Sequence, residues 1–211
     1  MARPRKITGA SSTRERMLRE SARLFTELGY EGTSTRAITE AVEVKQPSLF
    51  HYFSSKEEIG HELVRARIQE SALLSGRFQH GRNDPPLELY LLFRDELVVE
   101  LNKTTETGWL FRLPPRVAER FPEWGRALQL GRSTTRQLLS RGIDAGQFIA
   151  EHPAVVLELL DAIANEAMFW RKDSQDFTPD TVAKVLLRLV IADQQELARV
   201  VMRSPESSRS V

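Results

Sequence analysis

The chain has 211 residues, a hydrophobic content of 41%, a charged content of 28% and a formal net charge of +1, values ordinary for a globular protein of one large or two small domains. The absence of cysteine excludes disulfides and thiolate chemistry and suits a reducing cytoplasm, the compartment expected here. No apolar run reaches the ~18 residues of a membrane span, the basic residues 1–6 lack the apolar stretch of a secretory signal, and four scattered histidines show no metal-ligand spacing.

Residues 1–10 read as a flexible basic arm whose Arg3, Arg5 and Lys6 could equally enter a minor groove or only solubilise the chain. Ser12 and Glu15 have the spacing of a capping box. Leu18, Ala22, Phe25 and Leu28 then recur at helical intervals up to Gly29, a natural stop. A short second helix follows Thr33 or Ser34, with Ile38, Ala41 and Val42 facing inward. Val44 lies in the turn to a third helix over residues 45–51. Ser54 with Glu57, or Ser55 with Glu58, caps a fourth helix carried by Ile59, Leu63 and Ala66 to about residue 76. A loop over 77–85 contains Gly81, Asn83, Asp84 and Pro85. A fifth helix spans about 86–103, and Gly108 with Pro114 and Pro115 breaks the next region into short helices. Longer helices are expected over about 122–145, from Pro153 to Trp170, and from Pro179 to about Met202. Residues 173–178 read as a loop and 204–211 as a disordered tail. Strand signals are missing, so the expected fold is all-α with about nine helices.

The third helix carries the chemistry. A helix-turn-helix lays its second helix in the major groove and touches bases from the start of that helix. Gln46 can pair bidentately with adenine. Pro47 can meet a thymine methyl while costing no hydrogen bond so early in a helix. Lys45 can reach a guanine edge or a phosphate, and Ser48, His51 and Tyr52 lie on neighbouring faces within reach of bases or backbone. Leu49, Phe50 and Phe53 are expected to pack on the first and fourth helices. Thr33, Ser34 and Arg36 stand at the start of helix two, where free amides and the positive helix end attract phosphate. Lys56, in the first turn of helix four, opposes the helix dipole, which favours an anionic partner. The charge is also uneven: residues 1–56 hold ten Lys/Arg against six Asp/Glu, and residues 57–211 hold twenty against twenty-three. A basic end on a mildly acidic body suits one polyanion-binding region.

Over residues 14–60 this pattern resembles the helix-turn-helix domain of the tetracycline-repressor (TetR) family. The resemblance implies that Gln46 to Tyr52 form the recognition helix and that Lys56 meets backbone phosphate. Two features depart from the family pattern. The small pair before Val44, usually Ala-Gly, is Val42-Glu43, and the aromatic after Leu49, usually tyrosine, is Phe50.

Of residues 154–170, only Glu158, Asp161, Asn165 and Glu166 are not apolar, so this helix should be covered on more than one side. The last helix carries Val182, Val185, Leu186, Leu189, Val190, Ile191 and Leu197. One body could bury both stripes. The two-fold logic of operators instead favours a homodimer, and similar proteins dimerise through their last two long helices, which places residues 153–202, with Leu160 and Leu189, at the interface. Aromatic residues cluster between helices four and eight. Phe93, Trp109, Phe111 and Phe169, with Arg112 and Asn165 as polar anchors, are the candidate lining of a small-molecule pocket, although each aromatic also suits plain core.

The organisation expected is an arm (1–10), a DNA-binding domain (11–56), a regulatory, ligand-binding and dimerisation domain (57–203) and a tail (204–211). An enzyme is not expected, because nucleophile elbow, phosphate-binding glycine loop and dinucleotide fingerprint are missing; Glu96, Glu100 and Asp161 fall at exposed-looking helical positions. No cofactor or metal is expected. The function implied is a repressor released from a palindromic double-stranded operator by a small-molecule effector. Alternatives are a DNA-binding architectural or cell-division factor with no metabolite effector, and an interaction module with a vestigial helix-turn-helix.

Overall fold

A computed structural model of the protein describes residues 12–78, 83–102, 106–170 and 177–203. Ten α-helices and one 3-10 turn make up the described residues: α1 (Thr13–Leu28), α2 (Thr35–Ala41), α3 (Gln46–Tyr52), α4 (Lys56–Phe78), α5 (Pro85–Asn102), the 3-10 turn (Gly108–Arg112), α6 (Pro115–Ala118), α7 (Pro122–Asp144), α8 (Pro153–Trp170), α9 (Pro179–Val190) and α10 (Gln194–Arg203). The basic arm with Arg3, Arg5 and Lys6, the tail and most of the 173–178 loop lie outside the described residues. No described helix is long and apolar enough to cross a membrane.

Local chemistry sets the helix ends. Ser12 Oγ accepts from the Glu15 amide while the Glu15 carboxylate accepts from the Ser12 amide, so two orphan donors are satisfied reciprocally. Gly29 closes α1 at φ 78°, ψ 157°, a region that side-chain-bearing residues avoid. Ser34 caps α2 by accepting from the Ala37 amide. The second helix then ends with the Val44 amide on Thr39 O at 2.9 Å and the Glu43 amide on Glu40 O at 3.1 Å. This is the paired closure that normally puts glycine in the left-handed position. Here Glu43 occupies it at φ 59°, so the departure from the family pattern changes the residue and keeps the turn. At α4 the amide of Glu58 donates to Ser55 Oγ at 3.1 Å, and its carboxylate accepts from the Ser54 amide at 2.6 Å and from the Ser54 hydroxyl at 2.7 Å.

Two hydrophobic cores result. The N-terminal one unites Met17, Phe25, Tyr30, Ile38, Leu49, Phe53 and Ile59 with Trp109, Val117, Phe121 and Trp124. The C-terminal one is built from α5, α7, α8, α9 and α10, mainly through leucine, valine and alanine, with Tyr90, Phe93 and Phe148. Between them Arg67 is 2% exposed and pairs with Glu96 across α4 and α5 at 2.6 Å. Its guanidinium lies 5.9 Å and 6.0 Å from the rings of Phe111 and Trp124. Asp161 is likewise ion-paired, to Arg132, so Glu96 and Asp161 hold helices together; the Glu100 side chain lies outside the described ones.

Several expectations are corrected by this packing. Leu28 is exposed on α1, and Ala66 is exposed on α4 where Val64 and Arg67 are buried instead. Leu160, assigned to a dimer seam, is 1% exposed within its own subunit's core. The last helix is two: Ile191 turns extended and forms an antiparallel bridge with Phe148. The Ile149 amide reaches Val190 O at 2.8 Å and the Ala192 amide reaches Gln147 O at 2.9 Å. Those bonds to a distant segment replace the helical ones, and the chain restarts as α10.

Candidate nucleic-acid interface and interdomain cleft

A short helix such as α3 can anchor only one face, and Leu49 and Phe53, four residues apart, provide that anchor at 0% and 1% exposure. Everything off that line faces out. Lys45, Gln46, Pro47, His51 and Tyr52 are exposed and Ser48 is half-buried. Phe50, expected inside, is 53% exposed, because it sits one residue round from the Leu49–Phe53 line. The outcome is a continuous polar and aromatic surface along α3. Gln46 Nε2 donates to Thr35 Oγ1 at 3.3 Å, and the His51 and Tyr52 rings meet edge to face at 5.1 Å.

The flanking candidates divide. Ser34 and Arg36 are exposed at the start of α2, and Arg36 pairs with Glu40 one turn on at 2.8 Å. Thr33 is 1% exposed. Its hydroxyl donates inward to Gly29 O at 2.9 Å and Leu24 O at 3.1 Å, tying off the end of α1. Lys56 has a structural task as well: its Nζ donates to Tyr30 O at 2.6 Å and Thr33 O at 2.8 Å and lies 4.4 Å from the Tyr30 ring centroid. Burial pushes its ammonium below the usual lysine range, and neighbouring Arg120 acts in the same direction. Sequence reasoning missed this bracket because both carbonyls lie more than twenty residues upstream.

The same turn is welded to the rest of the molecule by aromatic rings. Tyr30 stacks on Trp109 at 5.8 Å and 14°, and meets Phe121 edge-on at 5.3 Å. Phe25 meets Trp109 edge-on at 5.0 Å. Phe121 reaches α4 so closely that a Cβ at Gly60 would lie 2.7 Å from its ring. His61 on α4 and Glu123 on α7 add a hydrogen bond of 2.6 Å.

Of the residues expected to line a ligand pocket, the structure brings three together. Trp109, Arg112 and Phe169 line a cleft of about 260 Å³ whose other wall is the end of α1 and the turn after it. Phe93 is buried in the C-terminal core, Phe111 packs edge-on against Trp124 at 5.1 Å, and Asn165 is half-buried on α8. Among the described residues, no group of three or more His, Cys, Asp or Glu side chains could hold a metal ion.

Comparison with known proteins agrees with the architecture. The sequence model of the bacterial regulatory proteins of the tetR family matches residues 17–63. The chain is 36% identical to the transcriptional repressor AcnR of Corynebacterium diphtheriae over 153 residues, 71% of this chain and 75% of that protein. It is 25% identical to the transcriptional repressor KstR2 of Rhodococcus jostii over 190 residues, 87% of this chain and 92% of that protein. The crystal structure of AmtR from Mycobacterium smegmatis superposes with a TM-score of 0.72 at 26% identity, covering 94% of this chain and 95% of that one. A helix-turn-helix whose third helix is buried on one line and exposed on the rest, set on a helical body, thus coincides with sequence likeness over most of the chain: the protein belongs to the tetracycline-repressor family of transcriptional regulators, which are DNA-binding proteins and not enzymes.

Proposed function

We propose that the protein is a homodimeric repressor that binds a palindromic operator and is released from it by a small-molecule effector. The observation that carries this reading is the outward face of α3, where Phe50 joins Lys45, Gln46, Pro47, His51 and Tyr52 in a surface larger than the fold requires. In this reading Gln46, steadied by Thr35, reads a base edge, and Pro47, Ser48, Phe50, His51 and Tyr52 meet neighbouring bases or backbone. Ser34, Arg36 and Lys45 hold phosphates, Thr33 contributes only its backbone amide, and Lys56 offers its third N–H. The partner is a second copy of the chain. Val155 and Leu159 on α8 and Val185 and Leu189 on α9 are between 46% and 61% exposed, an unpaired apolar face on two adjacent packed helices. Covering it with its two-fold mate makes a four-helix seam and presents two α3 helices to one side of a duplex.

Selection from random DNA tests the reading: the enriched sites should be palindromes with half-sites about one helical turn (~34–36 Å) or somewhat more apart. Gln46→Ala should relax preference at one symmetric pair of positions at ~1–3 kcal/mol per half-site. Arg36→Ala should weaken all sequences alike and flatten the salt dependence. Recovery of no palindrome, or identical behaviour of the two variants, would refute the assignment. Because coupling is reciprocal, operator DNA must weaken the effector by the same factor that the effector weakens DNA.

A further inference from the structure

The cleft between the α1–α2 turn and the body has a chemistry that favours one class of ligand. Its walls are mostly apolar, with Phe25 and Leu28 on one side and Trp109, Leu113 and Phe169 on the other. Phe169 is seated against the backbone of Gly108, where an added Cβ would lie 3.1 Å from the ring. Two hydrogen-bond donors belong to residues of this lining, one sealed from solvent and one open to it. Trp109 is 3% exposed, and its indole Nε1–H is sealed from solvent and meets no acceptor among the described residues. A buried N–H ordinarily finds one, as the neighbouring indole of Trp124 does on Leu110 O at 3.1 Å. The second donor is Arg112, whose guanidinium carbon lies 3.3 Å from the Phe169 ring centroid. Its Nη2 donates to both carboxylate oxygens of Glu166 at 3.0 Å. Side-chain exposures of 52% and 50% make this an ion pair that solvent screens and that exchanges partners readily. Glu31 also lines the cleft, from an exposed position.

We propose that this cleft is the effector site and that it takes a flat, apolar carboxylic acid. The ring system lies among Phe25, Leu28, Trp109 and Phe169, and the carboxylate displaces Glu166 on Arg112. The Arg112 guanidinium is the charged group that selects an acid for this cleft. The inference rests on the effector-release reading and gives it a short route. The turn that forms one wall is the one that Lys56 brackets to the start of α4. A ligand that moves this wall therefore shifts α2 and α3 directly, without a relay through the C-terminal core.

Calorimetric titration of the full-length protein with 2-naphthoate, and with uncharged 2-naphthamide as control, tests the site. The acid should bind and quench tryptophan fluorescence, with the amide roughly tenfold or more weaker. Arg112→Gln should weaken the acid roughly tenfold to a hundredfold, the range for hydrogen bonds to charged groups, and leave the amide unchanged. Glu166→Gln removes the internal competitor and should tighten the acid several-fold. A merely structural Arg112–Glu166 bridge would give the opposite sign. No binding of the acid at millimolar concentration, or acid binding indifferent to both substitutions, would overturn the proposal. If the acid binds with the expected dependence on Arg112 and Glu166 but leaves operator affinity unchanged, the site stands and the release mechanism assigned to it falls.

Discussion

The N-terminal core is held by rings and the C-terminal core by branched aliphatic chains. In the first, Phe25, Tyr30, Trp109 and Phe121 meet at defined angles, stacked in one pair, tilted in a second and edge-on in three. Such contacts add directional preference to burial. In the second, Leu157, Leu160, Leu186 and Leu187 fill space between α5, α7, α8 and α9, where attraction scales with area and has little angular preference. The difference matches the tasks. The aromatic core fixes the angle at which the helix-turn-helix leaves the body, while the aliphatic core supplies bulk stability and, in the proposed dimer, a platform for the second subunit.

The largest effect should separate the inside of that platform from its outside. Leu160→Glu puts an unpaired charge into the aliphatic core and should unfold the subunit, at several kcal/mol. Leu189→Glu, at a position 48% exposed, should leave the helical circular dichroism intact and shift light scattering from dimer to monomer. If both variants merely dissociate a dimer, the division between core and face is wrong. Next in size, Phe121→Ala should cost about 3–5 kcal/mol in chemical denaturation. Leu187→Met, a volume-conserving change in the aliphatic core, should stay below about 1.5 kcal/mol. A further Phe121→Leu variant sharpens the contrast, since it should disturb Trp109 fluorescence and operator affinity together whereas Leu187→Met disturbs neither.

A smaller change of opposite sign is expected at the rim of the aromatic core. Glu43→Gly relieves a left-handed residue that costs about 1–2 kcal/mol, partly offset by the greater freedom of glycine in the unfolded chain. The net gain of roughly 1 kcal/mol should appear as a raised melting temperature, and a loss would show that the Glu43 side chain makes a contact worth more than the strain. The smallest effect is a pH dependence at Glu58. Hydrogen bonds from the Ser54 hydroxyl, and secondarily the Ser54 amide, hold its carboxyl below the usual carboxylate range. A folded-state pKa below the unfolded one means stabilisation that is present above the ordinary carboxylate range and lost as pH falls through the folded value. Melting curves between about pH 5 and pH 3 should therefore be flatter for Glu58→Gln than for the wild type.

What could be read from sequence was whatever depends on near neighbours. Ser12 with Glu15, Gly29 and Ser34 each decide a helix end through groups within four residues, and all three act as expected. Phe50 was misplaced because a two-turn helix gives too short a period to fix its buried face. The available signal was that Leu49 and Phe53 already filled one line. Arg67 was missed although it continues the four-residue spacing of Ile59 and Leu63, since the carboxylate that makes burial of its charge tolerable, Glu96, lies on another helix. The break at Ile191 carries no glycine or proline and exists because Gln147 and Ile149, on either side of Phe148, compete for the backbone. The cleft was half legible: Trp109, Arg112 and Phe169 stood out as aromatic and basic groups. Their opposing wall, the turn around Gly29, came from the other end of the chain.

The Gly60–Phe121 contact imposes an order on descent. A methyl group at position 60 would sit 2.7 Å from the Phe121 ring, so a lineage that gains a side chain there first passes through a protein with its aromatic joint forced apart. A lineage that first shortens residue 121 opens the room, and alanine at 60 then becomes neutral or favourable for helix α4. The two sites thus form a one-way gate. Among descendants of this chain, bulk at position 60 should be found only together with a smaller residue at 121.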